Sequence, residues 1–131
     1  MVPEPDGFDR FYRDHAEPLR QALCLALGDV ELGTDSTDEA MARACEHWTD
    51  VSAYANPAGW AYRVGLNWAR SRQRRRRWRD WRPVPDLPVV PVPGDPDLTV
   101  ALGRLGVEQR AVVVCRYLLD WSVDDTATAL L

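Results

Sequence analysis

Arginine is the residue type whose number and spacing point most directly to chemistry in this 131-residue chain. Nine of the sixteen arginines fall between residues 63 and 82, where Asp80 is the only acid, and the chain has no lysine. That segment therefore carries a charge of +8, and the remainder must carry −12 to give the net charge of −4. Because guanidinium groups bind phosphates bidentately, one basic segment in an acidic protein predicts a directed contact with a polyanion.

Residues that support catalysis or metal binding do not form a recognisable set. The chain has two histidines, scattered carboxylates and no glycine-rich phosphate loop, so we expect no enzyme, no cofactor and no metal site. Cys24, Cys45 and Cys115 are odd in number and far apart, which predicts reduced core thiols. Neither a long apolar run nor an apolar leader is visible, so we expect no membrane insertion and no secretory signal.

Helical periodicity predicts the element at the start of the chain. Apolar residues from Phe8 to Leu27 fall mostly at i, i+3 and i+4 steps, as on one side of an amphipathic helix. Gly28 is expected to end this helix. Pro18 interrupts the pattern and predicts a kink or a break near Glu17.

A second helix is predicted to begin around Asp35 or Ser36. Ser36 and Glu39 have the spacing of a capping box, and acids in a first turn are stabilised by the helix dipole. Dipole compensation is the structural interpretation of Asp35, Asp38 and Glu39. The functional interpretation is an acidic edge that binds a basic partner.

A loop is predicted at Thr49–Ala55, and the third helix follows it. Asn56 is its expected cap and Pro57 its first helical residue, and the helix is expected to reach about Trp78. Wheel arithmetic at about 100° per residue separates two faces. The inner face is predicted to hold Ala61, Val64, Gly65, Trp68 and Ala69, flanked by Tyr62 and Leu66. The outer stripe is Arg63, Asn67, Arg70 and Arg74, bordered by Trp60 and Ser71. The arginines after residue 72 surround the helix, so this end must project into solvent or onto a polyanion.

Six of the ten prolines lie between Pro83 and Pro96, which predicts an extended linker at residues 81–97. Residues 98–131 are predicted to form three short helices. The middle one, Val107–Leu119, has an expected apolar side of Val112, Val113, Cys115, Leu118 and Leu119. Ser122 and Asp125 then cap the last helix. A piece of about 35 residues is below the size that folds alone, so it needs a partner surface or further sequence.

Three segments, taken in order, resemble the bacterial sigma factors of the extracytoplasmic-function group (group 4), of the actinobacterial type. They are GDVELGTDSTDEAMARACEHW, NPAGWAYRVGLNWARSRQRRRR and LGRLGVEQRAVVVCRYLLDWSVDDTATALL. Their order, with a proline-rich linker before the third, is more specific than any one of them. The resemblance implies an all-α protein: a three-helix region 2 bundle at 1–80, the linker at 81–97, and a partial helix-turn-helix region 4 at 98–131.

The resemblance also implies roles and partners. The protein would bind core RNA polymerase at the β′ clamp and β flap and recognise promoter DNA in the bacterial cytoplasm, with an anti-sigma factor as a further possible partner. The implied polymerase-binding residues are Asp35, Asp38, Glu39, Met41 and Arg43. The implied DNA-binding residues are Tyr54, Asn56, Trp60, Arg63, Asn67, Arg70, Ser71, Arg74 and Arg75. Among them, Asn67 is the main candidate for reading a base, since an amide both donates and accepts hydrogen bonds.

Departures from the family pattern leave alternatives open. Asp38 stands where the family has Gln, Cys45 where Trp is common, and Gly106 where Pro is usual. The family's recognition helix follows the position of Leu131, so we do not expect these residues to read the minus-thirty-five element. A regulatory protein that binds polymerase or an anti-sigma factor without full promoter recognition is the main alternative. A nonspecific arginine-rich nucleic-acid-binding module is the third.

Overall fold

A computed structural model of the chain describes residues 7–80, 90–92 and 94–130. Within these residues the fold consists of helices without strands, which confirms the predicted all-α class. The helices are α1 (Phe8–Leu27), α2 (Val30–Glu46), α3 (Trp48–Val51), α4 (Pro57–Asp80), α5 (Pro96–Gly103), α6 (Val107–Tyr117) and α7 (Val123–Leu130). None of these helices combines the length and apolarity needed to cross a bilayer. The predicted linker lies mostly outside the described residues, and its last two residues begin α5.

Helix α1 has the predicted ends. Gly28 caps it in the left-handed conformation at φ 67°, and its N–H donates to the carbonyl of Cys24. The helix continues through Pro18 and is not broken at Glu17. Apolar residues C-terminal to Pro18, beginning with Leu19, are buried, and this burial offsets the backbone hydrogen bond that proline cannot donate.

Helix α2 begins more than one turn before the predicted start at Asp35 or Ser36, which was wrong. Its cap is Asp29, whose carboxylate accepts a hydrogen bond from the third residue of the helix at 2.9 Å. Ser36 lies inside the helix, is fully buried, and donates its hydroxyl to the carbonyl of Gly33. The capping box with Glu39 therefore does not form, because Asp29 already supplies a cap.

Helix α4 starts as predicted. The Oδ1 atom of Asn56 accepts a hydrogen bond from the N–H of Gly59 at 3.0 Å, and Pro57 is the first helical residue. The predicted loop at Thr49–Ala55 is only partly a loop, since α3 takes up its first residues. Trp48, the first residue of α3, is buried and packs edge-on against Phe8 of α1 with ring centroids 5.6 Å apart.

The buried face of α4 is rotated from the predicted one. Tyr62 and Leu66 were expected to flank it and are buried, whereas Val64 and Trp68 are only half-buried. The carboxy-terminal part of the chain explains the difference, because Tyr62 contacts α6 and also Trp121, the residue two positions before α7. The hydroxyl of Tyr62 donates to the carbonyl of Ala111 in α6 at 3.3 Å.

The carboxy-terminal helices pack on the amino-terminal bundle and share its core. Helix α6 contacts α1, and α7 contacts α4. Four residues of α6 belong to the same apolar cluster as α1, α2 and α4: Val107, Ala111, Val114 and Cys115. The partner surface that this short piece needs is therefore present in the same chain.

The predicted apolar side of α6 was only partly right. Cys115 is buried as expected, but Val112 and Leu118 are exposed. The buried side instead follows Val107, Ala111 and Val114 at i, i+4 and i+7 steps, the spacing of one helix face. The helix has valines on both sides, so apolar residue type alone does not decide which side faces the core.

Candidate nucleic-acid interface

Asn67 lies exposed in a groove between α2 and α4. The groove is lined by Arg43, Val64, Asn67, Trp68, Ser71, Arg72 and Arg75. Three guanidinium groups, one amide and one hydroxyl therefore surround an open space, and none of the described acidic side chains lines it. This donor-rich lining is suited to phosphate oxygens, and the amide of Asn67 adds an acceptor that can read a base edge.

Two of the groove's arginines are held by neighbours within one helix. The Nε atom of Arg43 donates to Oε1 of Glu39 at 2.9 Å, which fixes the guanidinium at the α2 edge. The guanidinium carbon of Arg72 lies 4.8 Å from the ring centroid of Trp68, a cation–π contact one turn apart on α4. A guanidinium group has five N–H donors, and the hydrogen bond of Arg43 to Glu39 uses one of them, so donors remain for phosphate.

The remaining arginines predicted to bind DNA follow α4 toward its C-terminal end. Arg74 and Arg75 are exposed, whereas Arg70 is half-buried. Arg70 donates to the Oε1 atom of Gln73 at 3.2 Å, and Arg74 lies 3.5 Å from the hydroxyl of Ser71. Arg70 is not among the residues lining the groove, so the predicted stripe divides between the groove and the flank of α4.

The other predicted DNA contacts gather at the start of α4. Tyr54, Asn56, Trp60 and Arg63 line a second pocket, and the rings of Tyr54 and Trp60 are tilted with centroids 6.3 Å apart. The Oδ1 atom of Asn56 is already used by the helix cap, which leaves its amide N–H₂ as the group for a ligand. Paired aromatic rings beside hydrogen-bond donors provide a stacking surface for an unpaired base.

The opposite wall of this pocket is formed by α7. Asp125, Thr128 and Ala129 line it together with the predicted DNA contacts. These α7 residues are separated from α4 in sequence by the proline-rich segment, and no periodicity or cap places them there. Spacing alone offers no signal that identifies them.

The residues predicted to bind polymerase lie along α2. Asp35 and Asp38 are exposed, Glu39 is half-buried and Arg43 is exposed. Asp35, Glu39 and Arg43 repeat every four residues and so follow one side of the helix toward the groove. Met41 is only 3% exposed and packs in the core, so its side chain does not reach the surface.

Three groove residues were not among the predicted sites, namely Val64, Trp68 and Arg72. Trp68 was assigned to the inner face, and Arg72 was counted only within the basic run. Their i, i+4 spacing on one helix was an available signal for a stacked pair. Tyr62 was likewise assigned to a flank, although it is fully buried beneath α6.

Known proteins similar to this chain are sigma factors. The ECF RNA polymerase sigma factor SigL from three strains of Mycobacterium tuberculosis is 28% identical over 130 residues, covering 91% of this chain and 73% of the relative. This similarity confirms the resemblance carried by the three sequence motifs. No protein-family model matches the chain, and no solved structure matches it significantly.

Proposed function

We propose, from the premise that this chain is a homologue of the actinobacterial extracytoplasmic-function sigma factors, that it directs RNA polymerase to promoters in the bacterial cytoplasm. In this proposal the protein catalyses nothing itself. It binds core polymerase through α2, contacts the minus-ten region of the promoter through α4 and the loop before it, and promotes strand opening. The single observation that carries the proposal is Asn67 exposed among the arginines of the α2–α4 groove.

The groove supports a division of labour in DNA binding. Arg72 and Arg75 would hold phosphates and give affinity that depends on salt but not on sequence. Asn67 would add a pair of hydrogen bonds to a base edge, which is the contribution that discriminates between sequences. Arg74, exposed further along α4, would extend the phosphate contacts.

The pocket at the start of α4 supports capture of an unpaired base. Tyr54 and Trp60 would stack on the base, and the amide of Asn56 and the guanidinium of Arg63 would contact its edge or its phosphate. Unstacking a base costs on the order of a few kcal/mol, and stacking on aromatic side chains recovers roughly 1–3 kcal/mol per base. Binding energy from polymerase and captured bases would together offset strand opening.

The acids of α2 support the polymerase-binding role because they lie too far along the helix to be explained by compensation of the helix dipole. Helix α2 starts at Val30, so Asp35 lies in its second turn and Asp38 in its third. The influence of the helix dipole falls off within the first turn. Exposed carboxylates this far along gain little from capping, and an acidic edge for a basic partner accounts for them better.

Reconstitution with core polymerase tests the proposal. We expect run-off transcription from a template that contains a suitable minus-ten element, and none from core polymerase alone. Asp35→Ala and Asp38→Ala should weaken co-elution with polymerase without changing the free energy of unfolding by more than about 0.5 kcal/mol. Binding to polymerase without any transcript on a library of promoters would favour the regulatory interaction protein instead.

A further inference from the structure

The pocket at the start of α4 is shared between residues proposed to bind DNA and the last described helix. Tyr54, Asn56, Trp60 and Arg63 form one wall, and α7 forms the other. We propose that α7 and single-stranded promoter DNA compete for this pocket, so that the docked helix closes the DNA-binding site until it leaves. The proposal rests on the proposed function, because the DNA contacts are those assigned above.

One place where the two helices come close together is Gly59. A Cβ atom placed on Gly59 would lie 3.3 Å from the Cβ of Ala129, which is buried. The absence of a side chain at Gly59 therefore leaves room for the Asn56 side chain, whose Nδ2 atom would lie 2.8 Å from such a Cβ, and for α7 on the first turn of α4. This contact lies one residue before Trp60, so a base stacked on that ring would enter the space beside α7.

Neighbouring contacts hold α7 in this position. Trp121, just before α7, packs edge-on against Tyr62 with ring centroids 5.8 Å apart. Tyr62 also donates to the carbonyl of Ala111, so it contacts both the turn before α7 and helix α6. Docking of α7 is thus coupled to the seating of α6 on the bundle.

The negative charge of α7 allows it to compete with DNA for the pocket. Its first turn carries Asp124 and Asp125, and its last turn carries no basic residue. Asp125 and Arg63 line the same pocket, so a carboxylate occupies space where a phosphate would otherwise supply the negative charge. DNA and α7 therefore both present a negative charge to Arg63.

Few contacts hold α7 in the pocket, so the helix can also dissociate from it. Only Thr126 and Ala129 of α7 are buried. The Oγ1 atom of Thr126 is buried without a hydrogen-bond partner among the described residues. A buried hydroxyl that has lost water without gaining a partner weakens the contact, which favours reversible docking.

A reversible cross-link tests the competition in the full-length chain. In Gly59→Cys/Ala129→Cys the two Cβ atoms would lie 3.3 Å apart, slightly closer than the roughly 3.5–4.5 Å of a disulfide. The side chain introduced at Gly59 must also displace that of Asn56, so every comparison is made between the oxidised and reduced forms of one variant. The probe is a fluorescent single-stranded oligonucleotide, selected from a random pool on the reduced double variant. We expect oxidation to weaken its binding by about tenfold or more, and dithiothreitol to restore it. Gly59→Cys and Ala129→Cys, each made alone beside the three native cysteines, should show no change with oxidation.

The outcomes separate this proposal from the proposed function. Failure of the disulfide to form, checked by peptide mapping, would overturn the docked position. A disulfide that forms without weakening DNA binding would overturn the competition and leave the proposed function standing. If the wild-type chain neither selects oligonucleotides nor supports transcription, the proposed function fails first.

A charge variant tests the competition without any cross-link. Asp125→Ala removes the carboxylate from the pocket, and we expect it to tighten binding of the selected oligonucleotide about two- to fivefold. Asp124→Ala is the matched control, because Asp124 shares the first turn of α7 but does not line the pocket. Equal effects of the two variants, or none from Asp125→Ala, would contradict competition at this site.

Discussion

Arg43 belongs by position to both proposed surfaces. It ends the stripe of Asp35 and Glu39 on α2, and its guanidinium lines the groove that holds Asn67. The family resemblance assigns it to polymerase, which stays a prediction. Its place beside the other arginines of the groove favours a phosphate contact, and the ion pair with Glu39 holds its guanidinium at the α2 edge.

Replacing Arg43 with alanine distinguishes the two partners. We expect Arg43→Ala to reduce the slope of log affinity against log salt concentration for duplex DNA by about 0.9, the value for one lost phosphate contact. Arg10→Ala is the matched control, since Arg10 is an exposed arginine on α1 that pairs with Asp14 at 3.8 Å. An unchanged slope with weaker polymerase binding would return Arg43 to the polymerase surface.

The packing of α1 against α2 depends on a glycine at their crossing. A Cβ atom on Gly33 would lie 2.6 Å from the Cα of Cys24, closer than atoms can approach without moving a backbone. We expect Gly33→Ala to lower the free energy of unfolding by about 1–3 kcal/mol or more, because the helices must separate. Urea denaturation measures this loss.

Gly106→Ala is the comparison in which the added Cβ atom has free space. A Cβ atom on Gly106 would meet no atom within 4 Å, and Gly106 has a φ of −69° that alanine adopts freely. Its effect should be below about 1 kcal/mol. Helix propensity alone would favour alanine at Gly33, which lies inside α2, so similar effects in the two variants would contradict a role for the α1–α2 contact.

Local interactions explain which elements could be predicted from sequence. The end of α1 at Gly28 and the caps at Asn56 and Ser122 depend on residues three or four positions away, and the structure has all three. The start of α2 was missed because Asp29 and Ser36 both have capping chemistry. Only the packing of α2 within the bundle, which buries Ser36, decides between them.

Burial faces and the closed pocket required tertiary information. Tyr62 is buried where it contacts α6 and Trp121, and Val112 is exposed because α6 turns other residues inward. The stripe through Asn67 followed from helical spacing within one element. The α7 wall of the pocket could not be predicted in this way. Its position depends on where α7 packs after a proline-rich segment, and that segment carries no periodic signal.

At the scale of the whole molecule, one apolar core joins the amino-terminal bundle to α6. Burial raises the pKa of the Cys115 thiol to about 11, so little thiolate forms at neutral pH while α6 stays docked. Cys45 is only half-buried. The reactivities of these two thiols therefore report whether the core that includes α6 is closed.

Thiol labelling at pH 8 measures that state. We expect maleimide to modify Cys45 first, and Cys115 only through opening of α6, at least tenfold more slowly because the reactive form is the thiolate. Cys24 is buried in α1 and serves as an internal reference for global opening. In urea all three should react alike. Labelling of Cys115 as fast as Cys45 in the native protein would contradict the shared core.

Selective transcription is the most direct measure of the central claim, that Asn67 reads promoter sequence while nearby arginines supply affinity. The measurement is the ratio of run-off product from one promoter with an intact and with a scrambled minus-ten element. We predict that Asn67→Ala lowers this ratio toward one, whereas Arg75→Ala lowers both products and leaves the ratio close to that of the wild type. A ratio unchanged by Asn67→Ala, or changed equally by both substitutions, would contradict the account.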